Sequence, residues 1–178
     1  MAGTVRYNRR EVDNDLEEDA AAIEQPEKGR DDSGALMSID DIKKRFINEI
    51  KLRAYDDKYI DKIEEREILQ IAIQLGVSID SARPALFQVC NENDFVVESV
   101  IVKLIKDHFE SSAIGDGKID RDQFEQVVEI VKKAVAGKKN DREIKKLIVT
   151  VMENTGNNRV KTGWFTNWYA SLKKDLGV

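Results

Sequence analysis

The sequence predicts an all-α fold of about seven helices, and three observations lead there. Apolar residues recur at helical spacing in seven successive stretches. Serine, aspartate or asparagine stands ahead of most of these stretches, where a helix needs an acceptor for its first free N–H groups. A short polar pattern with one β-branched residue also recurs three times between stretches: Asp57-Lys58-Tyr59-Ile60-Asp61, Gly115-Asp116-Gly117-Lys118-Ile119-Asp120 and Gly156-Asn157-Asn158-Arg159-Val160-Lys161. No convincing strand segment interrupts the series.

Residues 1–37 hold few large apolar side chains and carry ten acids against five bases. Such a segment buries too little surface to offset its ordering entropy, so a disordered acidic arm is expected. The folded part is expected as one domain over 38–178. Ser38 caps a first helix with Ile39, Ile42, Phe46, Ile47 and Ile50, ending near Ala54. Asp61 with Glu64 forms a capping box for a second, whose apolar face is Ile68, Leu69, Ile71, Ala72 and Leu75, with Gly76 as its stop. Ser78 or Asp80 opens a third, short helix in which Pro84 is tolerated only in the first turn. Asn93 or Asp94 is read as the cap of a longer fourth helix through Phe95, Val96, Val100, Ile101, Leu104, Ile105 and Phe109.

Asp120 and Gln123 repeat the capping box ahead of Phe124, Val127, Val128, Ile130, Val131 and Val135, and Gly137 ends that fifth helix. Asn140 and Glu143 open a sixth with Ile144, Leu147, Ile148 and Val151. A last helix carries Trp164, Phe165, Trp168, Tyr169 and Leu172.

Helix-loop-helix units with one inward apolar loop residue are the build of calcium-binding hands, which take ligands from loop positions 1, 3, 5, 7, 9 and 12. With the β-branched residue at position 8, the second loop offers Ser112, Asp116, Asp120 and Gln123 and has Gly117 at the turn. Two carboxylates without a bidentate acid bind calcium or magnesium weakly at best. The first loop offers Asp57, Asp61 and Glu64 but has Arg53 at position 1 and Lys58 where glycine is expected. The third, with Arg159, Lys161 and Trp164, forms no cage. The alternative is that all three loops are tight turns whose eighth residue pins one loop to another.

The spacing Asp57-x-x-Ile60-x-x-x-Glu64 and, 59 residues later, Asp116-Gly117-x-Ile119-x-x-x-Gln123 resembles the tellurite-resistance TerB-like family. The resemblance spans 38–137 and implies an all-helical core with an internal pseudo-repeat, in which two Asp-Gly-x-Ile-x-x-x-Glu loops are associated with metal binding. Residues 138–178 are then an additional helical hairpin. The first loop has the family's acid without its glycine, and the second the glycine without the acid.

Other chemistry is sparse. The single histidine, His108, has neither a second histidine nor a nearby cysteine motif to make a zinc site. The single cysteine, Cys90, allows no intrachain disulfide and sits in a core-like context. No phosphate-binding glycine loop follows a strand. Trp164, Phe165, Trp168 and Tyr169 line one side of the last helix, as a partner-binding surface or as a core seal. Residues 132–174 hold eleven bases and three acids, a field that attracts nucleic acid or an acidic partner unless it is a solvated helical face.

No apolar run approaches the roughly 18–20 residues of a membrane span, and no apolar signal core opens the chain, so a soluble intracellular protein is expected. With no catalytic grouping in sight, the leading expectation is a non-enzymatic adaptor that binds a protein partner. A weak divalent-cation module at the Asp116–Gln123 loop and a nucleic-acid-associated protein are the alternatives.

Overall fold

Seven helices and two very short strands make up the computed structural model, which describes residues 37–112, 118–156, 160–161 and 167–178. In chain order the helices are α1 (Ile39–Arg53), α2 (Lys62–Gln74), α3 (Ile79–Glu92), α4 (Glu98–Ser112), α5 (Arg121–Val135), α6 (Asp141–Thr155) and α7 (Trp168–Leu176). Strand β1 (Tyr59–Ile60) precedes α2, and β2 (Val96–Val97) precedes α4. The all-α class therefore holds. The arm 1–37, apart from Met37, lies outside the described residues.

The caps act as the sequence requires. Ser38 accepts from the Asp41 amide, and Ser78 from that of Ser81. Asp61 with Glu64, Asp120 with Gln123, and Asn140 with Glu143 are all reciprocal capping boxes. Each satisfies N–H groups that the first helical turn leaves without an internal partner.

Three positions differ from the sequence reading. The last helix begins at Trp168, behind an Asn167 cap, and not ahead of Trp164. Pro84 is the sixth residue of α3, beyond the first turn. The bond it forgoes would run to the carbonyl of Asp80, an exposed residue in that first turn, so water can satisfy the acceptor. The fourth helix starts at Glu98 and not at Asn93 or Asp94. Asp94 adopts a left-handed φ of +56° and turns the chain into β2, where the Val96 amide donates to the Lys58 carbonyl at 2.9 Å.

That bond belongs to a parallel ladder in which Tyr59 pairs with Val96 and Ile60 with Val97. Ile119 makes a separate parallel bridge to Val160, with the Lys161 amide donating to the Ile119 carbonyl at 2.8 Å. The second patterned loop thus meets the third. The first meets a segment read as helix.

Buried side chains form two clusters. One joins Phe46, Ile50, Ile60, Ile68, Ala72, Leu86 and Val97, from α1–α3 and the strands. The other joins Tyr59, Ile105, Phe109, Phe124, Val128, Ile148, Met152 and Tyr169, from α4–α7 and β1. Neighbouring residues of a strand point to opposite faces. Tyr59 accordingly enters one cluster and Ile60 the other. Across the ladder, Val96 packs against the first partner's cluster and Val97 joins the second's. Each large aliphatic or aromatic side chain so buried contributes about 1.5–3 kcal/mol relative to exposure.

Candidate functional site

The loop carboxylates are the sequence's first candidates, and the structure gives each described one a local task. Asp57 Oδ1 accepts from the Tyr59 amide at 2.9 Å, and its Oδ2 lies 3.7 Å from Lys139 Nζ. Asp61 Oδ1 accepts from the amides of Ile63 and Glu64 at 2.8 Å, while Glu64 Oε2 accepts from the Asp61 amide at 2.9 Å. Arg53, at the loop's first position, pairs with Glu67.

In the second loop, Asp120 Oδ1 accepts from the Gln123 amide at 2.8 Å, and Gln123 Oε1 accepts from the Asp120 amide at 2.9 Å. Asp120 Oδ2 lies 3.9 Å from Lys161 Nζ. Ser112 is the last residue of α4, and Asp116 lies outside the described residues. The structure thus brings Asp120 and Gln123 together as a helix cap. Glu153, in the last turn of α6, accepts from the Tyr169 hydroxyl at 2.8 Å and from Lys173 Nζ at 3.1 Å.

A common arrangement emerges that no local pattern announces. Asp57 faces Lys139, Asp94 faces Lys138 at 3.3 Å, and Asp120 faces Lys161. Each of these three acids thus has a lysine ammonium within 4.0 Å. Among the described residues, no group of three or more His, Cys, Asp or Glu side chains is gathered as a metal cage requires.

The basic stretch is similarly compensated. Lys132 pairs with Glu129 and Asp141 at 3.0 and 2.9 Å, Lys145 with Glu125 at 3.6 Å, and Lys173 with Glu153. Of the aromatic residues, Tyr169 is buried, and Lys173 lies 5.5 Å from its ring centroid. Trp168 is half-buried, with its ring 5.6 Å from that of Phe124 and its Nε1 donating to the Lys161 carbonyl at 2.8 Å. Both therefore serve the α4–α7 core. Trp164 and Phe165 lie outside the described residues.

A second group, at the seam between the two cores, was invisible in the sequence. The Tyr59 hydroxyl donates to Glu98 Oε2 at 3.3 Å, and Lys139 Nζ sits 4.1 Å from the centre of the Tyr59 ring. Burial, then the Glu98 charge, pushes the Tyr59 phenol well above its ordinary value. Burial likewise raises the Glu98 carboxyl, and Asp61 adds to this, against the Tyr59 hydrogen bond and the charges of Lys139 and Lys62. Beside these groups lies a cleft of about 220 Å³. Its residues come from β1, α4, the end of α5, the α5–α6 turn and α6, so only the tertiary fold assembles it.

Cys90 is buried, and burial, with a contribution from Glu65, pushes its thiol up to about 12. Among the described residues no helix is long and apolar enough to cross a membrane. Comparison with protein-family models, with curated proteins and with solved structures finds no match to this chain.

Proposed function

We propose that this protein is a non-enzymatic, metal-independent helical adaptor that docks a protein partner, built from degenerate EF-hand-like or TerB-like helix-loop-helix units. The observation that carries this reading is the placing of large apolar side chains in solvent. Among the described residues, Ile39, Leu52, Tyr55, Ile63 and Ile79 are exposed on α1–α3 and the first loop, with Tyr55 81% and Leu52 67% exposed, against Val100 and the terminal Val178 in the other half. Single exposed apolar residues are ordinary on protein surfaces, but their concentration in one half favours an interaction face.

Two features favour the adaptor over its alternatives. The lysine–acid pairs at the loops support a turn role without a cation. The pairing of Lys132, Lys138, Lys139, Lys145, Lys161 and Lys173 with acids supports a field too compensated for strong phosphate binding. The test is affinity capture by the full chain, in calcium and in chelator, beside the variant Leu52→Asp/Tyr55→Asp/Ile63→Asp. The expected result is the same captured protein in both media and its loss from the variant. Capture that needs calcium, or a mobility shift of nucleic acid at low salt, would overturn the reading.

A further inference from the structure

The cleft at the seam carries two charged groups without an oppositely charged side chain within ion-pair distance among the described residues: Glu98, half-buried, with the Lys139 and Lys62 charges acting from farther off, and Lys146, exposed at the rim. Among the described residues, Glu98 has no ammonium or guanidinium within ion-pair distance, and its one hydrogen-bond donor is the Tyr59 hydroxyl. Lys146 lines the same cleft and has no carboxylate within ion-pair distance. The other two charges there are already engaged. Lys139 is held by Tyr59, Asp57 and Glu143, and Glu143 Oε2 accepts from the Asn140 amide at 2.8 Å. The remaining wall is apolar: Val135, Ile144 and Leu147, with the Tyr59 ring.

We propose that this cleft binds a small zwitterion of the apolar α-amino-acid class, its ammonium on Glu98 and its carboxylate on Lys146, with the side chain against Val135, Ile144 and Leu147. A volume of about 220 Å³ far exceeds the roughly 30 Å³ of a single water and falls below the 300–1,000 Å³ of drug-sized sites. A free amino acid is of the right size. Partial burial makes the ionised Glu98 costly on its own, so an arriving ammonium gains more there than at a surface carboxylate. A purely cationic ligand would meet Lys146, and a purely anionic one Glu98. A molecule bearing both charges satisfies both.

The experiment is calorimetric titration of the full chain with L-leucine and L-phenylalanine, then with N-acetyl-L-leucine and L-leucinamide. Saturable heat is expected for the free amino acids, with affinity at least about tenfold lower for either blocked form. Glu98→Gln and Lys146→Ala should each weaken binding by about tenfold or more. Leu147→Trp should abolish it by filling the cleft, with folding of every variant checked by a thermal melt. Should Glu98→Gln fail to fold, the blocked ligands on the unaltered chain still decide. Absence of saturable heat at millimolar ligand, equal binding of the blocked forms, or undiminished binding by folded Leu147→Trp would each overturn the proposal.

Discussion

Replacing Tyr59 with alanine is the most informative perturbation of this fold, because one side chain serves a core, a hydrogen bond and a cation contact. The residue is 1% exposed and belongs to the α4–α7 cluster although it sits in the loop between α1 and α2. Truncating a buried aromatic side chain costs about 3–5 kcal/mol. Lys139 over the ring adds about 0.5–2 kcal/mol, depending on how far the ammonium is desolvated. The expected loss is therefore about 3.5–7 kcal/mol, much of the 5–15 kcal/mol typical of a domain. Tyr59→Phe keeps ring and cation contact and removes only a long hydrogen bond, so its loss should stay near 1 kcal/mol.

The assay is urea unfolding followed by far-ultraviolet circular dichroism and by tryptophan fluorescence. Helices lie in both halves, whereas both tryptophans lie after residue 160. The two signals should coincide in the unaltered protein and separate in Tyr59→Ala, because the residue links the cores. A loss below about 1.5 kcal/mol, or coincident transitions in Tyr59→Ala, would refute the idea that the ladder joins two packing units.

Other expectations are smaller in scale. Asp61→Ala removes the acceptor for two amides and should cost about 1 kcal/mol in denaturation experiments, as should Asp120→Ala; no measurable loss would mean water replaces these caps. Lys58 holds φ at +56°, so Lys58→Gly should stabilise the protein by about 0.5–1 kcal/mol, the gain in strain being partly offset by unfolded-chain entropy. Because Glu98 holds its proton more tightly folded than unfolded, stability should fall as pH rises from the ordinary carboxylate range through its raised value. Glu98→Gln should flatten that part of the stability–pH curve, and an unchanged curve would refute the assignment. Cys90, buried and with its thiol pushed up to about 12, should react with a thiol reagent only slowly at neutral pH until denaturant is added.

The helices were legible because their determinants are local. Asp61 with Glu64, Asp120 with Gln123, and Asn140 with Glu143 stand three residues apart in sequence and meet in space. The seam was not legible because its partners are remote. Phe95-Val96-Val97 continues the apolar density of α4, and only the bond from Val96 to Lys58, together with the turn at Asp94, makes it a strand. The loop acids stand out in the sequence as a possible cation site. The pairing of Asp57 with Lys139 and of Asp94 with Lys138 leaves no local trace, because both lysines fold back from the α5–α6 turn. Tyr169 and Trp168 read equally well as surface or core, and burial in this fold favours the core.

The two-residue ladder also governs how the halves can move. A hinge needs a segment whose dihedral angles change without disturbing either body it joins. Here consecutive side chains of β1 are anchored in different cores, so rotating the three-helix group about the four-helix group would withdraw Tyr59 or Ile60 from its packing. The strands act as a shared wall. Any ligand or partner that shifts one half must carry the other with it, and a cut between Val97 and Glu98 would breach both compartments at once.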